Sequence, residues 1–195
     1  MALYHFSVRH VSRGKGQMVV ASAAYISGQR IFDSYYNKIH DYTSKSGVVF
    51  TEILTPEYVP ERLTDRETLW NEVEHVERNN KAQLAYSFDI ALQNELTLEE
   101  NIRLAKEFCQ EQFVARGMIV DLAVHEGKSD NEEEPDNPHF HVLVPIRPFT
   151  EEGIWGNKQR REYILDEDGN RVKDTKGKDT VSYTHLRAHE TSAHL

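Results

Sequence analysis

The chain has a single cysteine, Cys109, among its 195 residues, so no internal disulfide can form. Cys109 falls in a helical pattern and reads as packing. No stretch approaches the roughly eighteen consecutive apolar residues that a membrane-spanning helix needs. The N-terminus lacks the basic, apolar and small-residue layout of a secretory signal, so a cytoplasmic location is expected. There is no internal repeat. Positive charge is also short: the net charge of −9 argues against indiscriminate binding to nucleic acid. The imbalance is uneven, however. Residues 1–30 carry Arg9, Arg13, Lys15 and Arg30 and no acid, whereas residues 130–136 (DNEEEPD) carry five acids and no base. A local basic end can hold phosphate on an acidic protein. The acidic run reads as a solvated hairpin loop. With 38% hydrophobic residues, the length suffices for one domain with a real core.

Residues 3–11 (LYHFSVRHV) alternate, with Tyr4, Phe6 and Val8 on the face expected to be buried. A glycine-rich turn, 12–16, leads to a helix over 17–28 whose small residues allow close approach to a sheet and whose stop is Gly28. Residues 29–63 are loop-rich, with a weak strand signal at 47–54. Thr64 with Glu67 predicts a capping box for a helix running to about residue 79. A strand follows over 82–92. Thr97 with Glu100 forms a second box for a helix to about residue 116, which Gly117 ends. Strands are predicted over 118–125 and 139–147. The order β-α-(loops)-α-β-α-β-β predicts an α+β fold, an antiparallel-rich sheet with helices packed on one face, as in ferredoxin-like and RRM-like folds. One domain is expected over 1–180, polar and frayed after about 164. Residues 181–195 are set apart as a non-native or disordered tail.

His139-Phe140-His141 is the most informative segment. Side chains two apart on a strand project from one face, about 6–7 Å from each other. If strands 118–125 and 139–147 form a hairpin, His125 lies across from the pair. Three histidines without a neighbouring cysteine suit an open, catalytic divalent site; the alternative is a set of ordinary half-buried strand histidines. Tyr25, near the end of a small-residue helix, reads as core, interface anchor or nucleophile. A nucleophilic tyrosine needs help to reach phenolate, a cation beside the scissile phosphate, and a basic or aromatic surface for the strand. Arg9, Arg13 and Lys15 offer such a surface at one end. Trp155, Lys158, Arg160 and Arg161 offer another, or else a solvated turn with one half-buried tryptophan.

These segments together carry a resemblance. Residues 4–8 (YHFSV), 23–33 (AAYISGQRIFD), 91–97 (ALQNELT), 137–143 (NPHFHVL) and 155–163 (WGNKQRREY) resemble blocks of the MobA/MobL-type relaxases of mobilisable plasmids, within the HUH endonuclease group, in the same order and over roughly residues 1–175. The resemblance implies the HUH relaxase version of the fold and a metal-dependent transesterification. A tyrosine nicks one strand at the transfer origin, keeps the 5′ phosphate as phosphotyrosine, and later reseals the strand. By position it implies Tyr25 as nucleophile, His125, His139 and His141 as metal ligands, and Asp89 as an aid to a histidine or the metal. Mn²⁺ or Mg²⁺ is the implied cofactor, with Zn²⁺ as an alternative. The implied partners are single-stranded DNA at the transfer origin, accessory mobilisation proteins and a coupling protein. Gln93 stands where many relatives have proline, and a longer natural protein is implied. The rival readings are an HUH replication initiator or transposase, which generally places its tyrosine after the histidine pair, and a non-catalytic DNA-binding remnant.

Overall fold

The computed structural model describes residues 5–127, 136–175 and 177–185, with the side chains of 159–162 and 182–185 outside that description. Five strands form the central sheet: β1 (Phe6–Ser12), β4 (Val48–Leu54), β5 (Gln83–Ala91), β6 (Val120–His125) and β7 (His139–Pro145), in the order β1-β5-β7-β6-β4. Every neighbouring pair is antiparallel. The region expected to be loop-rich also holds a small hairpin, β2 (Arg30–Asp33) with β3 (Lys38–Asp41).

The sheet's two faces differ in chemistry because side chains alternate. One face presents Asp121, Ala123 and His125 from β6 and His139, His141 and Leu143 from β7; against it lie α1 (Val19–Ser27) and α2 (Arg66–Val76). The opposite face presents Val120, Leu122, Val124, Phe140 and Val142, and α3 (Leu98–Gln112) closes over it with Ala105 and Cys109 fully buried. The sheet is therefore the middle of three layers. α3 leaves the β1 edge uncovered, so Phe6 and Val8 are 48% and 46% exposed, not buried as the alternation predicts.

Capping explains the helix limits. Thr97 and Glu100 make the predicted reciprocal box. α2 instead starts at Asp65, whose carboxylate accepts from Thr68 N at 2.8 Å; Thr64 is spent on Glu61 O, and Glu67 accepts from Phe32 N of β2. α2 also ends sooner than predicted, since the buried Arg13 guanidinium takes the carbonyls of Glu74, Glu77 and Asn79. α3 stops at Gln112, and a 3-10 turn over Val114–Arg116 completes the run to Gly117. α1 has no capping side chain of its own. Glu74, fully buried on α2, accepts from Val19 N at 3.3 Å and places its carboxylate at the positive helix end. Gly28 closes α1 at φ +63°, where a Cβ would also press on Val48 at 3.2 Å. Buried Asp121 accepts from Arg66 and from Trp70 Nε1, tying α2 to the strand that carries His125.

Beyond the core, β8 (Gln159–Tyr163) pairs with β9 (Val181–His185), and the chain between them makes two tight turns closed on Asp166 and Asp174. β9 takes in residues 181–185 of the segment set apart in the sequence. The acidic loop at 128–135 and residues 186–195 lie outside the described residues.

Candidate metal centre and nucleophile

The β6–β7 hairpin sets the register that the site needs. His125 stands opposite His139, and Ala123 opposite His141, so all three imidazoles leave the same face. Their ring centroids are 4.6, 4.9 and 5.1 Å apart, and one nitrogen from each comes within 4.8 Å of the others. The remaining nitrogens orient the rings. His125 Nε2 donates to Ile26 O at 2.7 Å, freeing Nδ1. His139 Nδ1 donates to Asn137 O at 2.7 Å, freeing Nε2. Asp89, opposite His141 on β5, sets its carboxylate 4.0 Å from His141 Nδ1 and 3.8 Å from the Arg9 guanidinium. The two carbonyl acceptors are of the kind that fix histidine ligands for a metal, and Asp89 stands near the third ring.

Burial pushes the pKa of His125 down to about 4, with the nearby Lys45 ammonium adding to the effect. Burial likewise lowers His141 to about 4, helped by His125. Both rings are thus neutral at pH 7, the form a metal requires. The three converging imidazoles fit a divalent cation. An all-imidazole set favours Mn²⁺ or Zn²⁺ over Mg²⁺, which prefers oxygen.

Tyr25 lies in the last turns of α1 with its side chain 49% exposed, and it lines the same cleft of about 970 Å³ as the three histidines, Asp89 and Arg9. The Tyr42 ring meets it edge-on at 5.4 Å, and Lys45 Nζ sits 3.8 Å above its centre. Lys45 is half-buried, and desolvation lowers its pKa.

A sequence model of the MobA/MobL family matches residues 17–194. The chain belongs to the MobA/MobL family. Relatives include a conjugal transfer protein, TraA, of Agrobacterium fabrum, 36% identical over 91% of this chain and 16% of its own. A probable mobilization protein, MobA, of Bifidobacterium longum is 36% identical over 88% of this chain and 30% of its own. Mobilization protein MobL of Acidithiobacillus ferridurans is 32% identical over 80% and 41%. The chain thus spans less than half the length of these relatives. A solved structure concerned with the molecular basis of vancomycin resistance transfer in Staphylococcus aureus superposes with a TM-score of 0.73, at 38% identity, over 82% of this chain and 78% of its own.

The residues expected to contact DNA in this MobA/MobL chain do not gather on one surface. Arg9 lines the cleft, and its side chain is well exposed. Lys15 is exposed on the 3-10 turn beside Gly16 and Gln17 at the cleft wall. Arg13 is buried. Its guanidinium bonds Glu74 and three backbone carbonyls and covers the Tyr35 ring at 4.3 Å, so it is structural and not available to a strand. Trp155 packs edge-on against Phe149 at 5.2 Å, and its Nε1 donates to Glu72. Lys158 is held by Glu77 at 2.9 Å and by the Gln83 carbonyl. Neither presents a free stacking or cationic surface. The side chains of Arg160 and Arg161 lie outside those described. Lys45 and Tyr42 were not singled out from sequence: they sit in a short irregular segment without periodicity, and only the fold carries them to Tyr25.

Proposed function

We propose that this domain nicks and reseals one DNA strand at a plasmid transfer origin through a covalent 5′-phosphotyrosine on Tyr25, initiating conjugative mobilisation. The convergence of an exposed tyrosine and three histidines on one cleft carries this reading. The Tyr25 hydroxyl gives up its proton to solvent as its oxygen attacks the scissile phosphorus; the Tyr–O–P bond forms, the bond to the 3′ oxygen breaks, and the 3′ oxygen takes up one proton from solvent, so the phenol's proton is exchanged for that of the 3′ hydroxyl. The number of phosphoester bonds is unchanged, so resealing is the same step reversed and needs no nucleotide cofactor. A divalent cation held by His125, His139 and His141 supplies charge neutralisation at the phosphate. Asp89 keeps His141 oriented. Arg9 offers a cation to the backbone of the bound strand, and the walls of the cleft restrict it to in-line approach. Single-stranded origin DNA is the substrate. Accessory mobilisation proteins and a coupling protein are the proposed partners for transfer of the nicked strand, in the cytoplasm. Among the described residues no helix is long and apolar enough to cross a membrane.

The test incubates single-stranded oligonucleotides, tiling the DNA beside the gene, with the protein and Mn²⁺. Wild type should give a denaturation-resistant adduct. Tyr25→Phe should bind the same oligonucleotide without forming one, and His139→Ala should also keep binding while losing cleavage. Cleavage retained in His139→Ala would sink the metal assignment.

A further inference from the structure

Lys45 lies between β3 and β4, in a segment tied at both ends. Tyr42 N donates to Gln29 O at 3.2 Å, Lys45 N to Tyr42 O at 2.9 Å, and Glu126 N to Gly47 O at 2.9 Å. Among the described residues its ammonium makes two close contacts, both with Tyr25. Nζ donates to the Tyr25 carbonyl at 3.0 Å and stands 3.8 Å above the centre of the Tyr25 ring.

The carbonyl contact answers a need of the helix. Carbonyls in a final helical turn lack the N–H four residues on, and the negative helix end favours a cation. The Gln29 N–H, which would serve Tyr25 O, bonds Ala24 O at 3.1 Å instead. The next carbonyl, Ile26 O, is taken by His125. Two adjacent carbonyls of α1 are therefore held by a metal-ligating histidine and by Lys45, and the residue between these anchors and the cleft is Tyr25. A half-exposed aromatic ring has little packing to fix its direction. Here an edge-on tyrosine and an ammonium on the ring face do so.

We propose that Lys45 is the positioning residue for Tyr25: it locks the helix end that carries the phenol and, seated on the ring face, aims the phenol and favours the loss of its proton that attack requires. This role rests on the transesterase reading above. A cation on a ring face binds more strongly as the ring becomes more electron-rich, so the contact strengthens as the phenol gives up its proton.

The experiment uses the full chain with Mn²⁺ and an oligonucleotide that wild type nicks, comparing Lys45→Met and Lys45→Arg in single turnover. Lys45→Met should form the same Tyr25 adduct roughly tenfold more slowly at saturating oligonucleotide. Its oligonucleotide Kd should move by less than about twofold, separating positioning from binding. Lys45→Arg, which can both stack on the ring and donate to the carbonyl, should recover most of the rate. A second readout does not depend on turnover. In protein carrying ¹³C-labelled tyrosine, the Tyr25 ring signal, identified by its loss in Tyr25→Phe, should shift in Lys45→Met and return towards wild type in Lys45→Arg. An unchanged rate, a loss lying wholly in Kd, or an unmoved ring signal would overturn the role of Lys45 while leaving the nicking reaction standing. No adduct from wild type on any origin strand would overturn the nicking reaction, and this role with it.

Discussion

His125 and His141 hold the site ready at the cost of acid stability. Each takes a proton only near pH 4 in the folded chain, because burial disfavours the charged ring, whereas an unfolded histidine does so near 6.5. Between these values the unfolded state binds more protons, so folding stability is full above pH 6.5 and falls as pH drops towards 4. For His125 the difference corresponds to about 3 kcal/mol. Urea unfolding of the metal-free protein at pH 7 and pH 4.5 should show this loss. His125→Asn, whose amide can still donate to Ile26 O, should make it shallower and leave the part due to His141; an equally steep profile in that variant would place the acid sensitivity elsewhere. The triad was legible in the sequence because strand alternation alone puts His139 and His141 on one side, and a hairpin brings His125 to them. Arg13 was not. Its basic neighbours suggested a DNA surface, but whether an arginine is buried depends on a partner such as Glu74, 61 positions away, that no local pattern announces.

At the scale of elements, the helices are positioned by charges borrowed from one another. Glu74 of α2 serves both the N-terminus of α1, through Val19 N, and Arg13 after β1. Burial raises the Glu74 pKa, and the Arg13 guanidinium pulls it back down. Arg13→Ala leaves a buried carboxylate unpaired and should cost about 3–5 kcal/mol in chemical denaturation. If Arg13 instead acted at a DNA surface, that substitution would leave stability nearly unchanged and weaken oligonucleotide binding. The same borrowing limited what the sequence could tell. The Thr97–Glu100 box is local and was legible. The start of α2 was misplaced by one residue because Glu67 is drawn to Phe32 N of a hairpin that short, polar strands concealed.

For the whole molecule, the antiparallel sheet acts as a partition: an apolar face closed by α3, and a face where α1 and the segment 42–47 border a cleft over three histidines and Tyr25. The antiparallel sheet followed from strand alternation and helix signals, whereas the bonds of Trp155 to Glu72 and of Lys158 to Glu77 came from long-range packing that composition does not encode. A ligand that binds only the folded state stabilises it by mass action. Mn²⁺ at a hundred times its Kd should therefore add about 2.7 kcal/mol to wild type and almost nothing to His139→Ala. Equal stabilisation of both proteins would mean that the cation binds elsewhere. The central claim is that metal centre and tyrosine are one machine, and peptide mapping by mass spectrometry tests it most directly. After incubation with Mn²⁺ and a nicked origin strand, followed by nuclease and protease digestion, a single phosphonucleotide should be found on the peptide containing Tyr25, and none when the metal is chelated. A covalent nucleotide on another tyrosine, or one on Tyr25 that forms equally without metal, would contradict the account.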